Sequence, residues 1–293
     1  MSKPPIVWTI AGFDPSCGAG IGADLKTMSS LGCYGAACIT ALTVQNTLGV
    51  RRIEPLSALV IRETLQALVE DLPPSAIKIG MLGTAEIGSL VADFLVGLPR
   101  PGCPIVLDPI LRSSSGAELL DPKGMQVLLA RLLPLSTVVT PNRSEAATLT
   151  GMPMGAAESA AKALRRLGAA AAVVTGGDPL GSSSLVLGHD AGPGFIASGL
   201  PGSEAAHSSV DILAYSVSGV EYVETLSAPR LSSSSTHGTG CAFSSSIACA
   251  LAHGQSVPAA VTTAKAFVRQ AIERAPGLGR GCGPMGLDQW TRE

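Results

Sequence analysis

An α/β architecture, a mostly parallel sheet covered by helices, is expected from three features of this sequence. Of its 293 residues 46% are hydrophobic but only 3% aromatic, and Gly occurs 34 times. The core must therefore be built from Ala, Val, Leu and Ile, as in strands buried on both faces. Short β-branched runs alternate with segments of helical period. Glycines and hard polar side chains gather just after those runs, where open α/β sheets bind ligands.

The elements follow in order. "PIVWTIAG" (5–12) is a β-branched run closed by glycine, and "GADLKTMSSLG" (22–32) is helical in composition with a glycine stop. Residues 34–55 read as extended, with a turn near Asn46 to Gly49. Leu65, Leu68, Val69 and Leu72 then recur at helical spacing behind Ser57 as the cap. Next come a strand at Ala76–Ile79, a helix at Ala85–Val96 capped by Thr84, a strand at Pro104–Leu107, a helix at Pro122–Leu133 and a strand at Val138–Thr140. Helices near Arg143–Leu149 and Ala157–Leu167 precede the strand "AAVVT" (171–175). Gly176–Pro201 is rich in Gly, Ser and Pro, while "DILAYSVSGVEYVET" (211–225) reads as two strands about a Ser218-Gly219 turn. Only two substantial helices remain after Thr225. They cannot bury a core of their own, so residues 1–293 are expected to form a single domain.

Twenty basic against 22 acidic residues, with no basic cluster, give a net charge of −2. That leaves no electrostatic footprint for nucleic acid or an anionic membrane and points to small-molecule partners. Seven cysteines scattered without a CxxC pair suit neither a disulfide scaffold nor a zinc site, and fit reduced thiols in a cytosol. Ile6–Phe13 lacks a basic leader and runs into Asp14 and Pro15. No apolar run reaches the ~20 residues of a membrane span, so a cytoplasmic, untargeted protein is expected.

"SSSSTHGTGCAFSSSIACALAHG" (232–254) sets bare backbone in front of a helix. Gly238 and Gly240 let the N–H groups of Thr239, Gly240 and Cys241 converge at an end carrying roughly half a positive charge, which favours an anion. The plain alternative is a glycine-rich helix entry without a ligand. Cys241 is either a thiolate favoured by the same field or a small buried hydrophobe, and His237 reads as a hydrogen-bonding brace rather than a base. "AGFDPSCGAGIGADLKT" (11–27) lacks GxGxxG spacing, and no acidic residue ends a second strand; this sets a dinucleotide loop aside. The loop reads instead as a flat floor for a planar ligand, with Asp24 an N-terminal charge or a ligand contact. Asp108 of "IVLDP" and Asn142 and Glu145 of "TPNRSEA" end two parallel strands. Such oxygen donors suit magnesium and nucleotide phosphates, and Asn142 with Glu145 also fits a capping box. Gln45 is an exposed turn residue or a reader of a heterocycle edge, with donor and acceptor side by side.

In order, "TIAGFDPSCGAGIGADLKT", "ITALTVQNT.GV", "KIGMLG", "VLDP", "TPN..EA" and "STHGTGC", spread from about Ile6 to Pro284, resemble the hydroxymethylpyrimidine/phosphomethylpyrimidine kinases of the ribokinase-like superfamily. The resemblance implies a three-layer sandwich with a mostly parallel central sheet and a small β lid from about residues 34–54. It implies ATP-dependent, Mg2+-assisted phosphorylation of 4-amino-5-hydroxymethyl-2-methylpyrimidine and of its monophosphate, for the pyrimidine half of thiamine diphosphate, in a homodimer. By the same resemblance Gln45 pairs with the ring nitrogen and amino group, and Gly12, Met81 and Asp24 line the ring pocket. Gly238, Thr239, Gly240 and Cys241 form the anion hole, with Cys241 where ribokinase relatives more often carry an aspartate base. Asp108, Asn142 and Glu145 stand around magnesium and the ATP phosphates, with Thr175 and Lys265 beside the nucleotide. The chain departs from the pattern where relatives often carry lysine, at Ser114 and Thr175, and where they carry histidine, at Asp178, while Arg112 stands near as a substitute charge. Histidines that commonly follow the "GRGCGPMG" segment are also missing. A pyridoxal kinase is the alternative that Gln45 argues against, and a non-catalytic pyrimidine-binding protein is the alternative suggested by the lost lysines.

Overall fold

The computed structural model describes residues 3–113, 116, 118–177 and 208–288, so Ser114 and Asp178 lie outside the described residues. Its strands are β1 (Ile6–Phe13), β2 (Tyr34–Asn46), β3 (Gly49–Pro55), β4 (Ala76–Ile79), β5 (Ile105–Leu107), β6 (Val138–Val139), β7 (Ala171–Val174), β8 (Ser208–Val217) and β9 (Val220–Pro229). They form one nine-stranded sheet in the order β3-β2-β1-β4-β5-β6-β7-β8-β9. The run from β2 to β7 is parallel, and β3, β8 and β9 join antiparallel at the two edges. The helices are α1 (Gly20–Ser30), α2 (Ala58–Asp71), α3 (Ala85–Val96), α4 (Pro122–Val127), α5 (Arg143–Thr150), α6 (Ala157–Arg166), α7 (Thr239–Ala252) and α8 (Val257–Glu273).

Alternate residues of each strand serve opposite faces, because side chains along a strand point to alternating sides. Val7, Ala76, Val106, Val138 and Val173 pack with Met28 of α1, Phe243 and Ile247 of α7 and Phe267 of α8. Their neighbours Trp8, Ile77, Leu107, Val139 and Val174 pack with Ile61 of α2, Val91 of α3 and Leu164 of α6. The result is the expected sandwich of helices, sheet and helices. No helix among the described residues is long and apolar enough to cross a membrane.

Local signals placed most elements. Ser57 and Thr84 cap α2 and α3 by accepting the N–H groups of Val60 and Ile87. Ser218 and Gly219 both take positive φ, 51° and 82°, the turn that suits the twist of the β8–β9 hairpin. Two boundaries differ from expectation. The helix from Pro122 gives way to a π turn at Leu128–Leu132 and a 3-10 turn at Leu133–Leu135, because Pro134 lacks an N–H and its ring crowds the carbonyl four residues earlier. The covering hairpin does not begin at residue 34. Tyr34 to Leu42 belong to the central sheet beside β1, and only Ala41 to Asn46 pair with β3.

Candidate active site

The carboxyl ends of β1, β4, β5, β6 and β7 share one side of the sheet, as parallel strands require, and α7 starts among the loops that leave them. Its N-cap, Gly238, has φ 79°, and no side chain caps the helix. In the first turn the Thr239 N–H reaches back to Thr236 O at 3.4 Å, and the N–H groups of Gly240 and Cys241 are the ones turned to an outside acceptor. A Cβ on Gly238 would overlap the carbonyl oxygen of Gly18, and one on Gly18 would stand 2.5 Å from His237 Cδ2. The two glycine loops thus interlock at van der Waals distance. The Gly20 N–H supports the Cys241 sulfur across the same seam.

A polar chain joins these loops to the covering hairpin. Asp14 accepts the Ser16 N–H at 2.9 Å and the Ala19 N–H at 3.1 Å, fixing the first loop. Its Oδ2 lies 2.8 Å from His237 Nε2, and that nitrogen lies 3.0 Å from the Gln45 amide. His237 is the brace expected of it. Gln45 is half-buried and projects from β2 toward this junction. Met81 and Gly12 form one wall: Met81 Sδ stands 3.0 Å from where a Gly12 Cβ would be, and Met81 packs with Ala41 and Leu119. A cavity of about 240 Å³ adjoins this wall between Ile53, Pro55, Gly83 and Leu119.

Beneath the cradle lies a buried charge cluster. Lys78 Nζ donates to both oxygens of Asp24, at 3.0 and 2.9 Å, and neither residue is exposed. Asp24 also accepts from Thr9 at 2.6 Å and Ser245 at 2.8 Å. Its four acceptor positions are filled, and it sits past the first turn of α1. Asp24 is consequently neither a ring contact nor an N-terminal charge: it is the counterion of Lys78. Asp108 is nearly buried, accepts from the Ser244 hydroxyl at 3.2 Å, and its Oδ2 is 3.8 Å from the position of a Gly240 Cβ. Burial pushes its carboxyl up to about 6 against the pull of Lys78. Of the two readings of Cys241, its burial favours the thiol packed as a small hydrophobe over the thiolate. Burial pushes its thiol up to about 12; Lys78 opposes this, and the charges of Asp24 and Asp108 reinforce it. Desolvation beside two carboxylates outweighs the helix field.

Asn142 and Glu145 form a complete capping box. Asn142 Oδ1 accepts the Glu145 N–H at 2.8 Å, and Glu145 Oε2 accepts the Asn142 N–H at 2.9 Å. Glu145 Oε1 accepts from Leu111 N–H as well. The box uses one lone pair of the oxygen that Asn142 would offer a cation, and the cap accounts for that residue without a ligand. Thr175 bridges to Asn142, its N–H bonded to Pro141 O at 2.9 Å. Lys265 donates to Asp211 at 2.7 Å, and Asp211 accepts the Gly176 N–H at 2.8 Å, so the lysine buttresses the loop after β7. Among the described residues no group of three or more His, Cys, Asp or Glu side chains could hold a metal alone. Magnesium held largely by phosphates and water needs only one or two carboxylates, which Asp108 fits. Lys78, Asp14 and Asp211 are site residues that sequence reasoning passed over. A lone charge inside the apolar strand "AIKI" was the available signal for Lys78.

Residues 14–286 match the family described as phosphomethylpyrimidine kinase. The hydroxymethylpyrimidine/phosphomethylpyrimidine kinase of Haemophilus influenzae is 40% identical, over 97% of this chain and 97% of that protein. The thiamine biosynthesis bifunctional protein ThiED of Geobacter sulfurreducens is 39% identical, over 95% of this chain and 51% of that protein. The structure of the Staphylococcus aureus pyridoxal kinase in complex with AMP-PCP and pyridoxal superposes with a TM-score of 0.77 at 29% identity, covering 97% of this chain and 94% of that one. With its ribokinase-like sandwich and its match over nearly the whole length, this chain belongs to the phosphomethylpyrimidine kinase family.

Proposed function

We propose that this protein transfers the γ-phosphoryl group of ATP to the hydroxymethyl oxygen of 4-amino-5-hydroxymethyl-2-methylpyrimidine, and then a second phosphoryl group to the resulting monophosphate, for thiamine biosynthesis. One observation carries this reading. Gln45, a side chain with donor and acceptor side by side, is tied through His237 to the glycine that opens the anion cradle. A reader of a heterocycle edge and a binder of negative oxygen thus meet within one substrate length. Phosphoryl transfer asks mainly for alignment and charge neutralisation. The N–H groups of Gly240 and Cys241, opened by Gly238 and joined by that of Thr239 once it leaves Thr236 O, supply the second, and Gln45, Gly12 and Met81 supply the first. Asp108 is the carboxylate for a magnesium ion, which when bound screens the phosphate charges, with Glu145 near it through the Leu111 N–H. Asn142, Thr175 and Lys265 line the nucleotide side. Ser114, where relatives often carry lysine, is expected to lower activity or to slow the second phosphorylation, and Thr175 in place of lysine removes a positive charge beside the nucleotide.

Coupled ADP release with magnesium and ATP is expected to require the hydroxymethylpyrimidine, and product analysis to show mono- and then diphosphate. Silence across magnesium concentration and pH would sink the reading. Gly240→Asp, which sets a second carboxylate beside Asp108 at a position where a Cβ meets only ordinary contact, is expected to lower kcat at least about a hundredfold with the fold retained. The likeness to a pyridoxal kinase supports a second reading, decided by comparing turnover of pyridoxal and the pyrimidine. A cytoplasmic homodimer completes the proposal. None of the seven cysteines is in a disulfide, and Leu42, Val44 and Leu48 are exposed on the covering hairpin; light scattering in solution tests the pairing.

A further inference from the structure

His237 places one nitrogen between two partners with opposite demands. Its Nε2 lies 2.8 Å from Asp14 Oδ2 and 3.0 Å from the Gln45 amide, and His237 and Asp14 are 8% and 3% exposed. Asp14 is an ionised acceptor. Burial pushes its carboxyl up, but the hydrogen bonds from His237 and Ser16 outweigh this and hold it below its ordinary value. An anionic oxygen at that distance requires Nε2 to carry a hydrogen, in neutral and charged imidazole alike. A nitrogen so protonated cannot accept from an amide NH2. The Gln45 atom beside it is therefore the oxygen, reached by a half-turn of the amide about its last torsion and sharing the one Nε2 hydrogen with Asp14 in a three-centre bond. The far end of the amide agrees. Thr43 Oγ1 donates to Phe13 O at 3.0 Å, which leaves its lone pairs for the amide NH2, 3.3 Å away once turned.

We infer that the Asp14–His237 couple is a specificity device that locks the Gln45 amide with its oxygen toward the anion cradle and its N–H away from it. This rests on the reading of Gln45 as the ring reader proposed above. His237 directly precedes the N-cap of α7, so the amide end beside it is the end nearest the acceptor hydroxyl. The locked amide selects a ring with a hydrogen-bond donor adjacent to the reacting hydroxymethyl group and an acceptor one position further on. The 4-amino-5-hydroxymethylpyrimidine ring has that order. Its 4-oxo analogue carries C=O and then N–H in the same places, which sets acceptor against acceptor and donor against donor. His237 and Asp14 act through Gln45 and are positioning residues.

The test is kcat and KM for the 4-amino ring and the 4-oxo analogue, with wild type, H237F, H237A and H237Q. Wild type is expected to prefer the amino ring by about a hundredfold or more. H237F and H237A delete the hydrogen; each should raise KM for the amino ring about tenfold, change kcat less, and narrow the preference about tenfold. H237Q, whose NH2 has one hydrogen for each partner, should restore the preference to within about threefold. A preference unmoved in H237F and H237A overturns the inference even if both rates fall, because lost packing on Gly18 slows both rings alike. If those variants fail to fold, Thr43→Val at the far end of the amide is expected to narrow the preference in the same direction, and no change there overturns the inference. Wild type active on neither ring sinks the function reading as well, whereas an active wild type without preference sinks this inference alone.

Discussion

The carboxyl of Asp108 is pushed up to about 6 by burial, which Lys78 and the Ser244 hydroxyl only partly offset. A group that holds its proton more tightly folded than unfolded stabilises the fold fully below pH ~4 and loses that contribution as pH rises through 6. Ionising Asp108 in place therefore costs about 3 kcal/mol at neutral pH, a strain that its proposed role beside a phosphate-bound cation would require. Asp108→Asn is expected to raise Tm by several degrees above pH 7, with the difference closing toward pH 4, while kcat falls at least about a hundredfold. Calorimetry from pH 4 to 8 beside the kinase assay checks both. A Tm gap independent of pH would show that the carboxylate is not the destabilising group.

At the scale of elements, the box that starts α5 is structural and also reaches the site. Asn142→Ala removes the cap of Glu145 N–H and is expected to cost about 1 kcal/mol, which lowers Tm by about 2–4 °C in a chain of this size, whereas Asn142→Asp retains most of the stability. Because Glu145 also holds the Leu111 N–H, the loop carrying Asp108 loosens with the cap, and KM for ATP should rise with the loss of Tm. An Ala variant with lower Tm and unchanged KM would confine the box to stability. This cap was legible in the sequence, like Ser57, Thr84 and the Ser218-Gly219 turn, because each acts on backbone groups within about four residues of itself. The break after Val127 was not, since Pro134 sets only that a hydrogen bond is lost and packing decides how the helix re-forms around it. Nor was the double role of β2, which leaves β1 for β3 along one unbroken extended segment. The candidate site divides the same way. Gln45 and the cradle glycines stand out by residue type in their own segments, while the Asp14–His237 contact spans 223 positions and leaves no local trace.

At the scale of the whole molecule, the Lys78–Asp24 pair binds the sheet to both helices under the cradle. Asp24 on α1 is held by Lys78 from β4, Thr9 from β1 and Ser245 from α7. Burial pulls the Lys78 ammonium down, and the charge of Asp24, joined by Cys241, Asp108 and the hydrogen bond to Asp24, outweighs it and holds the ammonium ionised. Two charges removed from water gain little net stability as a pair, but removing one strands the other. Lys78→Met is therefore expected to cost about 3–5 kcal/mol in urea unfolding, and Lys78→Met with Asp24→Leu to recover much of it, a coupling well beyond additivity. Activity should not return in the double variant. Lys78 is the buried positive charge that offsets Asp108 and acts on Cys241, so apolar packing can replace its contribution to folding but not its field in the site. Additive losses in the two single variants, or full activity in the double, would mean that the pair is ordinary packing with no bearing on phosphoryl transfer.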